Sequence, residues 1–145
     1  KAVVGNMAIT NTSEHLTLAW SDVLSHREPD QVPEIASRLA SAGVTPDMTA
    51  TALADSGEML ASRMESGDPG WEQDYGGMLG VALLAGEVSA QAAFRVSQAS
   101  KVRSGAVNAL LDEYSAVFVA SQLGISRQKV YEIGRAASKP HRGRR

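Results

Sequence analysis

The sequence predicts an all-α protein, a helical bundle, on three observations. Apolar residues recur three and four positions apart through most of the 145 residues. The interruptions are Gly, Pro and short capping residues, the usual punctuation between helices. No alternating β-branched run occurs, nor an Asn-Gly or Asp-Gly turn between two such runs, so there is no strand signal.

Taken in order, Thr12 or Ser13 is placed to cap a helix carrying Leu16, Leu18, Trp20, Val23 and Leu24. His26-Arg27-Glu28-Pro29-Asp30 reads as a loop, because proline biases the residue before it away from helical angles. A second helix begins near Pro33, shows Ile35, Leu39 and Ala42 at helical spacing, and ends at Gly43. Thr45 as N-cap and Pro46 behind it open a third, expected to run to Ser66. Met48, Ala52, Leu60 and Met64 form its apolar face, and Gly57 weakens its middle. Gly67-Asp68-Pro69-Gly70 is the strongest break in the chain. Helix is expected again from Trp71 to Ala85, where Met78 to Ala85 reads as a buried run, and from Glu87 to Val102. Val88, Ala92, Val96 and Ala99 are the apolar stripe of the latter. Ser104-Gly105 is expected to break the pattern before a last helical block that reaches about Ala137.

Composition narrows the function classes. With 43% hydrophobic and 21% charged residues the chain has enough apolar surface to fold. The absence of cysteine excludes disulfides and thiolate metal sites and fits a cytoplasmic protein. His15, His26 and His141 are too scattered for a ligand pair, so no metal and no cofactor is expected. No uninterrupted apolar run approaches the roughly 18 residues of a membrane span, and no membrane partner is expected. Lys1 is not a translational start; either Met7 is one or the chain is a trimmed fragment. Glu58, Glu65, Asp68, Glu72 and Asp74 are numerous acids without a nucleophile, phosphate loop or metal motif beside them, so they read as a solvated face and not as an enzyme's site.

Charge is unevenly distributed. Residues 1–100 hold 5 Lys/Arg against 13 Asp/Glu, net −8, and residues 101–145 hold 9 against 3, net +6. A basic end on an acidic body suits a nucleic-acid contact as well as a solubilising tail.

Within that basic end, Ala116 to Arg135 has a distinctive order. Ala120 is small enough for two helices to cross closely, and Gly124 stands where the chain must turn with positive φ. Ser126 is an N-cap, and Leu123, Ile125, Val130 and Ile133 are apolar at the positions that seal the pair onto a third helix. This segment resembles the helix-turn-helix superfamily of DNA-binding proteins. The resemblance implies double-stranded DNA as partner, transcriptional regulation as role, and a recognition helix starting after Ser126. With so few residues behind that helix, a β-wing is not expected.

Residue chemistry assigns the roles. Arg127 and Gln128 suit two-bond contacts to guanine and adenine edges, and Tyr131 either joins them or covers the helix face. Ser126, Lys129 and Arg135 suit phosphates, as do Lys139, Arg142, Arg144 and Arg145 of the tail, an arm for the backbone or the minor groove. Glu132 is expected to be neutralised by Lys129 or Arg135, each three residues away. The organisation expected is an acidic helical region over 1–104, the DNA-binding segment over 105–137, and a basic flexible tail over 138–145. The supporting helix is either Ala106 to Tyr114, with Ser115 capping the next, or Val88 to Val102. A homodimer formed through 1–104 is expected, since paired half-sites raise specificity. The rival reading is a helical protein-interaction module, antitoxin-like or an adaptor, with its partner on 1–104 and a merely structural terminal hairpin.

Overall fold

The computed structural model describes residues 19–138, and every regular element among them is a helix. The chain divides into two compact units between Ala93 and Phe94, a point inside the longest helix.

In the first unit residues 19–23 are helical, and Trp20 and Leu24 are buried. Thr12, Ser13, Leu16 and Leu18 lie outside the described residues. α1 (Val32–Ser41) takes Pro33 in its first turn, where no N–H is missed, and buries Val32, Ile35, Ala36 and Leu39. α2 (Pro46–Ala54) is capped by Thr45, whose Oγ1 accepts the Met48 N–H at 3.2 Å. The helix expected to continue to Ser66 stops here instead. The Asp55 carboxylate accepts the N–H of Gly57 at 2.9 Å and of Met59 at 3.1 Å, so it ends one helix and caps the next, α3 (Glu58–Ser66). A short acid that bonds nearby N–H groups competes with helix continuation. The break shifts the apolar phase, and Met64 lies exposed while Ala52 and Leu60 are buried.

Beyond the Gly67–Gly70 break, the helix expected from Trp71 is first a 3₁₀ turn, Trp71–Tyr75, because the chain turns at Gly76. α4 (Gly77–Glu113) then runs for 37 residues, about 55 Å. Its Val81 and Leu84 join Trp20, Leu24, Leu39 and Trp71 in the core of the first unit.

The break expected at Ser104-Gly105 does not occur; α4 passes straight through. Ser104 is buried, and an interior glycine costs only about 1 kcal/mol against alanine. That is too little to stop a helix held by Val81 and Leu84 in one unit and by Val107 in the other. Of the expected stripe only Val88 packs on a core, and Ala92, Val96 and Ala99 are exposed. Met78 and Leu79, in the run read as buried, are exposed too. By length and composition alone α4 is apolar enough to cross a bilayer, although its apolar residues are interrupted by Glu87, Ser89 and Gln91, so no uninterrupted run of span length occurs in it. A core helix of a soluble protein passes the same test.

In the second unit, α5 (Ala116–Leu123) and α6 (Arg127–Ser138) pack on the last turns of α4. Val107, Ala116, Val119, Ala120, Val130 and Ile133 form the core, with Leu111 and Ile125 against it. The supporting segment is therefore the one near Ala106 to Glu113, but as the end of α4 and not as a separate helix. Leu123, expected to help seal the pair, is 45% exposed, because the turn brings Ile125 onto the core in its place.

Candidate functional site

The hairpin is fixed by its caps. Ser115 Oγ accepts the Phe118 N–H at 3.2 Å and starts α5. At the other end the Ala120 carbonyl accepts the N–H groups of both Gly124 and Ile125. That closure sets Gly124 at φ +67°, a region a Cβ makes costly. Ser126 then starts α6, its Oγ accepting the Lys129 N–H at 3.1 Å and its carbonyl the Val130 N–H at 3.1 Å. Gly124, Ile125 and Ser126 are the whole connection.

α6 is sharply two-sided. Val130, Ile133 and Gly134 are buried. A Cβ on Gly134 would come within 3.2 Å of Leu111 Cδ1, so glycine lets this helix lie close on the end of α4. Arg127, Gln128, Lys129, Tyr131, Glu132 and Arg135 are all exposed. Ser126, Arg127, Gln128, Tyr131 and Arg135 line one open depression. This brings together the three residues assigned to base contact and two of those assigned to phosphate. Lys129 Nζ lies 3.6 Å from Glu132 Oε2, the internal neutralisation expected for that carboxylate. Arg135 Nε donates to the Tyr131 carbonyl at 3.3 Å, which steadies the head of its side chain. Lys139, Arg142, Arg144 and Arg145 lie outside the described residues, as do His15 and His141.

No family model, curated protein or solved structure matches this chain. The local chemistry of α6 therefore carries the functional reading.

A second polar cluster has no counterpart among the sequence expectations. Glu87 is buried, and its carboxylate takes His26 Nε2 at 2.8 Å and the Arg27 guanidinium at 2.7 and 3.1 Å. Burial pushes the Glu87 carboxyl up, but the hydrogen bonds from Arg27 and His26 outweigh it and hold the group below its ordinary range. The same contact raises Arg27. Its sequence signal is a lone acid just behind the apolar run Met78 to Ala85. A cavity of about 320 Å³ adjoins the cluster, but Arg27 is already bonded to Glu87 and Arg38 to Glu34 at 3.3 Å. Among the described residues no group of His, Asp or Glu is arranged to hold a metal.

Proposed function

We propose that the chain is a cytoplasmic, non-enzymatic transcription regulator that binds double-stranded DNA by sequence through a helix-turn-helix, α5 and α6, without a β-wing. The carrying observation is the shared depression of Ser126, Arg127, Gln128, Tyr131 and Arg135 on the solvent side of a helix whose other side is buried. A helix of this kind enters the major groove by its first turn, which puts Arg127 and Gln128 nearest the base edges. Free N–H groups of that turn favour a phosphate beside Ser126. Lys129 reaches the backbone from the flank, because an exposed pair such as Lys129–Glu132 holds it by about 1 kcal/mol at most.

The test begins with selection of a preferred duplex from random sequences. Arg127→Ala and Lys129→Ala are then titrated on that duplex and on a scrambled one across salt. Removing the Arg127 side chain should cost about 1–3 kcal/mol on the preferred duplex only. Removing that of Lys129 should weaken both duplexes alike and lower the salt slope by about one. Equal weakening of both duplexes by Arg127→Ala overturns its role in base reading. The uncovered apolar side of α4 favours a second reading, a protein-interaction module. Under that reading the chain is not retained on duplex DNA at any salt concentration.

A further inference from the structure

We propose that the cleft between α1 and α4 in the first unit binds a small apolar α-amino acid as its zwitterion. Its cavity of about 320 Å³ stands at the lower end of ligand pockets, which run from about 300 to 1,000 Å³, so the occupant is small. α1 contributes Ile35 and Leu39, one helical turn apart, and α4 contributes Leu83. Ile35 and Leu39 belong to the core of this unit and Leu83 packs against it, so the floor is apolar and fixed. Gly86 lines the same cavity, and a Cβ there would meet nothing within 4 Å. The missing side chain leaves room that an apolar group can take up. Glu34 and Arg38 form an exposed rim, with 80% and 60% of their side chains in water. A molecule with a charged head and an apolar body matches this order. Its head stays in water at the rim while its body covers Ile35, Leu39 and Leu83.

Charge selects the head. The lining holds two cations, Arg27 and Arg38, and two anions, Glu34 and Glu87. A simple anion or cation would therefore enter with no opposite charge left over for it. Glu87 is spent on His26 at 2.8 Å and on Arg27 at 2.7 and 3.1 Å, and a buried acid does not give up such partners cheaply. The Glu34–Arg38 pair is the one that opens, because at 3.3 Å and with both ends in water it is a weak surface contact. A zwitterion inserted there gives each side chain a new partner, its ammonium on Glu34 and its carboxylate on Arg38. No charge is then left alone, and a guanidinium takes a carboxylate with two parallel N–H groups. An α-amino acid carries both charges on one carbon beside an apolar chain, the order in which rim and floor are set.

The inference does not depend on DNA binding, and its test uses the full chain without DNA. Calorimetric titration with leucine, isoleucine, methionine and phenylalanine should find at least one that binds saturably, with a dissociation constant of about 1 mM or tighter. For the tightest of them, the amide lacks the carboxylate and the desamino acid lacks the ammonium. Each should bind about tenfold or more weakly than the amino acid itself. Arg38→Gln should bring the amino acid down to the affinity of its amide, whereas a merely structural Arg38 would weaken both alike. Gly86→Leu should fill the cleft and abolish binding without lowering the melting temperature, because leucine is the better helix former. Failure of all four amino acids to reach about 1 mM overturns the site. Binding that survives Gly86→Leu overturns its location, and binding indifferent to Arg38→Gln overturns the rim contact. A desamino acid that binds as tightly as the amino acid overturns the choice of a zwitterion.

Discussion

Glu87 shows how one side chain ties distant sequence together. Its carboxylate is nearly out of water and meets His26 and Arg27, some sixty residues earlier in the chain. Removing the acid leaves a partly buried guanidinium without its partner, so Glu87→Ala should cost about 2–4 kcal/mol at pH 7. The cost stays below that of a fully buried pair because Arg27 retains some water. The pH dependence follows from the lowered carboxyl. Its stabilising contribution is full above the unfolded value of about 4.3 and fades as pH falls through the lower folded value. The stability difference between wild type and variant in urea titrations should therefore shrink as pH falls through the carboxyl range, below about 4.3. A gap that widens with acid would mean that the carboxyl is not held down in the folded state. The sequence points to a loop at His26-Arg27 but not to its partner, because pairing over such a separation leaves no local periodicity.

At the scale of elements, local chemistry is the legible part. Thr45 with Pro46, and Ser126 after Gly124, are caps whose reach is two or three residues, so the sequence displays them whole. What it hides is decided by packing farther off. Asp55 bonds two N–H groups and splits a helix whose apolar spacing looks continuous. Conversely, Ser104-Gly105 has the composition of a break, and α4 runs through it. A Cβ at Gly105 would meet nothing within 4 Å, and the position is inside a helix. Gly105→Ala should therefore stabilise the protein by about 0.5–1 kcal/mol, raising the melting temperature by a few degrees. Had the chain turned there, the same change would destabilise it. Within α6 the apolar spacing identifies Val130 and Ile133. The glycine that lets the helix sit on Leu111 gives no such sign, because its reason lies on another element.

Across the whole molecule the dominant feature is the separation of charge, net −8 over residues 1–100 and net +6 over 101–145. If the chain binds a duplex as proposed, the polyanion repels the acidic part and attracts the basic part, which favours approach by the C-terminal end. In the proposed reading, affinity and selectivity have separate sources. The first turn of α6 reads bases, and the terminal Lys139, Arg142, Arg144 and Arg145 add backbone charge without sequence information. Deleting residues 139–145 removes those four cations and leaves every described residue of α6 in place. Binding to preferred and scrambled duplexes should then weaken by the same factor. The slope of log affinity against log salt should become shallower by about one for each phosphate that the tail no longer neutralises, up to about four. The ratio of the two affinities should stay constant at each salt concentration. Unchanged affinity and slope would mean that the tail does not touch the backbone. A fall in the ratio would instead move part of the sequence reading into the tail, as an arm in the minor groove.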